Sequence, residues 1–383
     1  MKQAKPFFTR KLDLLTKSPN LESLYQFSKF PIFIGATEQA RSEDICSDMQ
    51  WDIGIDTGMI QLRSLLDPKL VYSGYHSEAI GGVWERHHRE FAAFVRDMAG
   101  ETILEVGGAN GHLANLVLTA SQEVKSYKII EPNPNCRPNK RLEVLKGFFT
   151  RAFAKKHKIF VDTAIHSHTF EHFYDPDDLL DGIEEILPDG GMHIFSIPDL
   201  EGYLKSGFTN TLNFEHTFYL TNDAVEYMLA KRGFRVISRR KFESHSIFYA
   251  TIKDKSVDRN VSLVNRYSEN KKTFLDFIKS YESMIEDFNI RISESEGAVY
   301  LFGAHVFSQF LINMGICESK ITGVLDNSTI KRGKRLYGTS LQIFDPSEIE
   351  GQANVTVILK AGQYQDEVRA QLLGINPNCL ILE

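Results

Sequence analysis

The stretch Thr102–Leu113, TILEVGGANGHL, constrains this chain more than any other. Four of the five residues Thr102 to Val106 are apolar or β-branched, which suits a short buried strand. The chain then turns through Gly107, Gly108, Ala109, Asn110 and Gly111 and resumes as HLANLVLTA, whose apolar spacing suits a helix. Glycines in such a loop let backbone approach a ligand, and the helix start offers free N–H groups to it. A strand, a glycine turn and a helix in this order point to an α/β fold.

The pattern around the turn is E-x-G-x-x-x-G, from Glu105 through Gly107 to Gly111, rather than the G-x-G-x-x-G of dinucleotide binders. It resembles the first motif of class I S-adenosylmethionine (SAM) methyltransferases. Glu131, in KIIEP, follows at the interval where a doubly wound sheet places an acid on a ribose.

Composition excludes several alternatives. The chain has 383 residues, enough for two or three domains, and 42% of them are apolar. With 44 basic and 50 acidic residues it carries a formal charge of −6, which argues against a duplex nucleic-acid binder. Cys46, Cys136, Cys317 and Cys379 are widely spaced with no CxxC pair. The basic, amphipathic start MKQAKPFFTRKLDLL lacks a signal peptide's apolar run, and no stretch is long and apolar enough to span a membrane. A reduced, cytoplasmic setting is the expectation, with a small-molecule substrate and a monomeric or homodimeric state.

The chain divides by pattern. Residues 1–95 read as an N-terminal substrate lobe, with helical spacing over Leu21–Phe30, a strand over Ile32–Ile34, a polar loop over 35–50 and a hairpin around Asp56–Gly58. Tyr75, His76 and Ser77 lie in a glycine-flanked loop and are candidate ligand contacts. Trp84, His88, Phe91, Ala92 and Val95 then recur at helical spacing, with Trp84 and Phe91 read as core. Residues 96–253 alternate strands (102–106, 127–131, 159–165, 191–197, 234–240, 245–253) with helices (111–120, 176–187, 221–232). This predicts a mostly parallel, doubly wound sheet ending in an antiparallel pair. Residues 254–295 carry Phe274, Phe277, Ile278, Tyr281, Ile285 and Phe288 at spacings of three and four, a linker helix. Residues 296–383 form a second, Rossmann-like unit whose turn keeps only Gly303, so a structural or substrate-cradling role is favoured over cofactor binding.

Taken in order, MIQLRSLLDPKLVYSGY, LEVGGANG, KIIEPNP, HTFEHFYDP, FEHTFYLT and GVLDNSTIKRGKRLYGTSLQI resemble the sugar C-methyltransferases that act on nucleotide-linked deoxysugars. The resemblance implies a three-lobed protein, SAM as cofactor and a sugar or nucleotide-sugar acceptor in glycan or polysaccharide precursor synthesis. Two positions depart from that family. Gly54 and Thr57 stand where it has zinc-binding cysteines, so no zinc is expected. Asn213 stands where it has the tyrosine of a Y-H-E-H motif, although Glu215 and His216 match.

These matches assign candidate roles. Glu105, Gly107, Gly108, Gly111, Glu131 and Pro132 would surround the cofactor's methionine and ribose, and Phe149, His166, Ser167 and His168 lie where this fold contacts adenine. The alternative for Phe148 and Phe149 is core packing. His216 is the general-base candidate, because imidazole titrates near neutrality, with Glu215 to orient it or bind substrate. His172 is a weaker candidate. Asn213 can donate a hydrogen bond to an enolate but cannot shuttle a proton, and Tyr75 completes the set. Carbon and oxygen acceptors both stay open, as do another small polar acceptor and a catalytically silent SAM-fold binding protein.

Overall fold

The computed structural model describes residues 1–72 and 82–383. Tyr75, His76 and Ser77 fall outside the described residues.

The N-terminal lobe is built on an antiparallel sheet of β1 (Leu21–Pro31), β2 (Ile45–Gly54) and β3 (Ile60–Leu62). The expected helix over Leu21–Phe30 is therefore a strand. Its buried residues Leu24, Phe27 and Phe30 are spaced by three because the register against β2 slips twice, between Ser23 and Tyr25 and between Phe27 and Phe30. Bulges add residues to a period of two and mimic a helical stripe. Ile32–Ile34 is not a strand. It leaves the sheet, and Gln309 of the C-terminal unit donates to the Phe33 carbonyl at 2.9 Å. The stretch read as a loop over 35–50 contains the first half of β2, and the hairpin around 56–58 forms between β2 and β3.

The corner of this lobe at Gly54 and Thr57 does not fit a zinc–thiolate group. The Thr57 hydroxyl donates to Asp13 at 2.5 Å, that carboxylate also accepts from the N–H groups of Leu15 and Thr16, and a side chain at Gly54 would collide with it.

Helix α1 (Gly82–Arg96) leads into the central sheet. It buries Val83, His87, Phe91, Ala92, Phe94 and Val95, so His87 rather than His88 faces inward, while Trp84 is half-buried. The sheet has seven strands: β4 (Thr102–Val106), β5 (Ser126–Glu131), β6 (Leu142–Lys146), β7 (Thr163–Ser167), β8 (Met192–Pro198), β9 (Phe234–Phe242) and β10 (Ser246–Lys253). Their order is β6-β5-β4-β7-β8-β10-β9, with β10 antiparallel to both its neighbours β8 and β9 and the remaining strands running in one direction. Helices α2 (His112–Ala120), α3 (Pro176–Ile186) and α4 (Asn222–Ala230) are the expected ones. Asp175 caps α3 and Pro176 starts it, because a first-turn residue needs no N–H partner. Edge strand β6 and a short helix at Arg151–Lys156 were not legible from periodicity.

The 27-residue helix α5 (Tyr267–Ser293) buries Phe274, Phe277, Ile278, Tyr281, Ile285, Phe288 and Ile292 in one core. That core also holds Phe27 and Trp51 of the N-terminal sheet and Leu301 and Phe310 beyond α5, so the helix is a shared spine. The last unit comprises β11 (Val299–Phe302), α6 (Val306–Asn313), β12 (Gly323–Leu325), β13 (Ile343–Phe344), β14 (Thr356–Leu359), α7 (Gln365–Ile375) and β15 (Leu380–Leu382). Its parallel order is β13-β12-β11-β14-β15. Asp326, at the end of β12, already accepts from the Ala304 N–H at 2.7 Å and pairs with Lys331 at 3.0 Å. No helix among the described residues is long and apolar enough to cross a membrane.

Candidate active site

The turn after β4 is tight because its glycines leave no room for side chains. Gly107 and Gly111 adopt φ of +80° and +71°. A Cβ on Gly107 would sit 2.7 Å from the Thr169 hydroxyl, and one on Gly108 would sit 2.8 Å from Ile129. Glu105 lies inside this turn, buried, and accepts from the Tyr127 hydroxyl at 2.7 Å. Burial pushes its carboxyl up to about 7, against the Tyr127 hydrogen bond that lowers it. Glu105 thus braces the loop from within.

Glu131, at the end of β5, stands at the rim. One carboxylate oxygen accepts from the Ala109 N–H at 3.2 Å and the other from the Asn133 N–H at 2.9 Å. Each oxygen keeps a lone pair, which is what a ribose diol requires. The cradle therefore fits a SAM-sized cofactor: unhindered backbone at Gly107–Gly111 and a fixed acid at Glu131.

The adenine-side candidates separate. Phe149 is 3% exposed and packs in the core, whereas Phe148 is 46% exposed with its ring 6.2 Å from that of Tyr72. His166 also faces the interior. Strand β7 runs over 163–167 rather than 159–165, so His166 lies within the ladder, its Nε2 3.0 Å from Nε2 of His193. Burial holds His166 down at about 3. Ser167 bonds Ser196 at 2.7 Å, and His168 bonds Ser246 at 2.8 Å.

The structure also brings His216 and His172 together, with ring centres 5.1 Å apart. The Tyr72 hydroxyl lies 3.2 Å from His172 Nδ1, and Glu215 lies 3.9 Å from that same nitrogen. Glu171 faces His172 Nε2 at 3.7 Å and His168 Nδ1 at 3.9 Å, fully buried, with neither carboxylate oxygen hydrogen-bonded among the described residues. Burial pushes its carboxyl up to about 8. Burial and the nearby carboxylates also keep the Tyr72 phenol protonated. Tyr72 and Glu171 were not singled out from sequence, and only their neighbours Tyr75 and His172 offered a signal.

Asn213 plays a different part from the one expected. Its side-chain oxygen accepts from the N–H groups of Glu215 and His216 at 2.8 and 2.9 Å, and its amide donates to the Asn210 carbonyl at 3.1 Å. It shapes the turn that presents the other two residues.

Residues after that turn pair with the N-terminal lobe. The Leu62 N–H donates to the Thr217 carbonyl and the Tyr219 N–H to the Ile60 carbonyl, both at 2.9 Å. Buried Arg10 donates to the carbonyls of Thr217 at 2.5 Å and Tyr174 at 2.9 Å. One guanidinium therefore ties the segment carrying His172 to the one carrying His216. The two sides of the site also meet directly, because the Asn133 amide donates to the Tyr72 carbonyl at 2.8 Å.

Comparison with known proteins gives the family of both C-terminal units. The family described as "Methyltransferase domain" matches residues 82–239, and the "C-methyltransferase C-terminal domain" matches residues 249–378. C-methyltransferase NovU of Streptomyces niveus is 20% identical over 333 residues, covering 81% of this chain and 79% of that protein. Among solved structures, the plantazolicin methyltransferase BpumL in complex with SAH aligns with TM-score 0.37 and 12% identity over 45% of this chain and 85% of its own. An S-adenosylmethionine-dependent methyltransferase from Mesorhizobium loti aligns with TM-score 0.36 and 10% identity over 45% and 98%.

The protein is a SAM-dependent methyltransferase. It joins its methyltransferase domain to the C-terminal domain found in C-methyltransferases, and its cofactor is SAM.

Proposed function

We propose that this enzyme methylates a carbon atom of a sugar or nucleotide-linked sugar beside a keto group, with His216 as the general base. The observation that carries this reading is the grouping of His216, His172, Glu215 and the Tyr72 hydroxyl next to the glycine turn. The C-terminal match and the likeness to a C-methyltransferase support carbon as the acceptor.

Bound SAM supplies an electrophilic methyl on a sulfonium, held by Gly107–Gly111 and Glu131. His216 takes the proton from the carbon beside the carbonyl. The electron pair moves onto the carbonyl oxygen, where the protonated Tyr72 phenol and the neighbouring His172 supply hydrogen bonds to the enolate. Tyr72 would bring the phenol that position 213 lacks. SAM would supply the methyl group that this carbon accepts as the thioether leaves, with Glu215 and the Asn213 turn fixing the alignment of the acceptor.

The test pairs two readouts. Nucleotide-linked keto sugars and their hydroxyl counterparts are offered with SAM, and the keto sugar is incubated without SAM in deuterated water. Methylation of the keto sugar together with His216-dependent hydrogen exchange at its adjacent carbon is expected. Methylation of the hydroxyl sugar without exchange would overturn carbon transfer in favour of oxygen.

A further inference from the structure

Three imidazoles from distant segments form a second cluster. His87 on α1, His168 beyond β7 and His245 in the β9–β10 turn have ring centres 5.1, 5.2 and 5.0 Å apart. One nitrogen or more of each lies within 4.8 Å of the others. Three imidazoles bound at ~2.0–2.1 Å to a tetrahedral ion place their ring centres roughly 5 Å apart. The observed triangle has that size.

His87 supplies an independent observation. It is fully buried, and neither of its ring nitrogens has a hydrogen-bond partner among the described residues. A buried imidazole left so is costly and calls for a partner. Among the described residues its apolar neighbours provide none: the rings of Phe91, Phe242 and Phe248 lie 6.0, 5.5 and 5.2 Å away. Trp84 covers the other two histidines, its ring 4.7 Å from His168 and 4.5 Å from His245. The Ser246 hydroxyl touches both His168 and His245.

We propose that His87, His168 and His245 bind a divalent transition-metal ion of the zinc type. Three neutral imidazoles suit a borderline-soft ion and not magnesium or calcium, which take oxygen ligands. Burial keeps all three rings neutral, as ligands must be. The ion is structural, cross-linking α1, the exit of β7 and the β9–β10 turn. The site is distinct from the Gly54–Thr57 corner and stands independently of the acceptor proposal.

The test uses the full chain, stripped with a chelator and titrated with Co²⁺ and, separately, Zn²⁺. Tetrahedral cobalt absorption saturating near one equivalent is expected, with a rise of several degrees in Tm on adding zinc. Both are expected to vanish in His87→Phe and in His245→Phe, which keep a ring in the cluster, and to persist in His172→Phe. Two ring-preserving variants guard against one failing to fold, which circular dichroism checks. No cobalt spectrum in the parent, or binding retained in the folded His87→Phe or His245→Phe protein, overturns the proposal. Loss only in His172→Phe overturns it too, by moving the ion to the Glu171, His172 and His216 group.

Discussion

The side-chain oxygen of Asn213 accepts from the backbone N–H of His216 at 2.9 Å, so the residue three before His216 holds that residue's own backbone. Asn213→Ala removes this bond and its twin to Glu215. The expected cost is about 1–3 kcal/mol of stability. A fall in kcat with unchanged affinity for S-adenosylhomocysteine is also expected, because the turn carries Glu215 and His216. Asn213→Asp keeps an acceptor in place and retains most activity. Kinetics beside calorimetric titration separate the two effects, and an Ala variant with parental kcat would show the turn holds without this side chain.

Glu131 makes the opposite prediction. Its carboxylate fixes the Ala109 and Asn133 N–H groups at the cofactor rim. Glu131→Ala is expected to weaken binding of SAM and of S-adenosylhomocysteine more than tenfold by isothermal titration, while leaving the folded core intact. Parental affinity in that variant would remove Glu131 from the cofactor site.

Arg10 lies far in sequence from both segments it joins. It is 4% exposed, and its donors reach the carbonyls of Thr217 and Tyr174 and the Thr217 hydroxyl. Arg10→Ala removes a donor from the Thr217 carbonyl and hydroxyl and from the Tyr174 carbonyl and should cost about 3 kcal/mol. Arg10→Lys should rescue little, since a single ammonium cannot span the fork of a guanidinium. Urea unfolding midpoints test this, and an Ala variant as stable as the parent would refute the tie.

Glu171 gives a pH signature. Its folded carboxyl is raised to about 8 from an ordinary 4.5, so the folded chain holds this proton more tightly than the unfolded chain. The resulting stability is full below pH 4.5 and is lost as pH rises through 8. Glu171→Gln, neutral throughout, should therefore gain on the parent between pH 5 and pH 8, by on the order of 2–4 kcal/mol at most. Chemical denaturation across that range is the measurement. A constant difference between the two proteins would mean Glu171 does not titrate there.

The central unit was legible because its signals are local. Glu105, Gly107, Gly111 and Glu131 belong to one β-turn-α-β step, and the hydrophobic period of Phe274–Phe288 becomes a single buried face on α5. Tertiary pairing decided the rest. Register slips in β1 turned a helical spacing into a strand, and the later start of β7 carried His166 into the interior. Asn213, read as a group facing substrate, became a turn brace once its bonds to Glu215 and His216 closed.

In the central unit and α5 the amino-acid order determined most strands, the glycine turn and the amphipathic helices, because those depend on φ preferences and periodicity over a few residues. Only the folded chain decided that Tyr72 meets His172, that Arg10 joins Tyr174 to Thr217, and that His87, His168 and His245 converge. Such contacts join segments far apart in the sequence, and their existence depends on how sheets and helices pack. Nothing in the local spacing of a buried arginine or histidine encodes which distant carbonyl or ring it will meet.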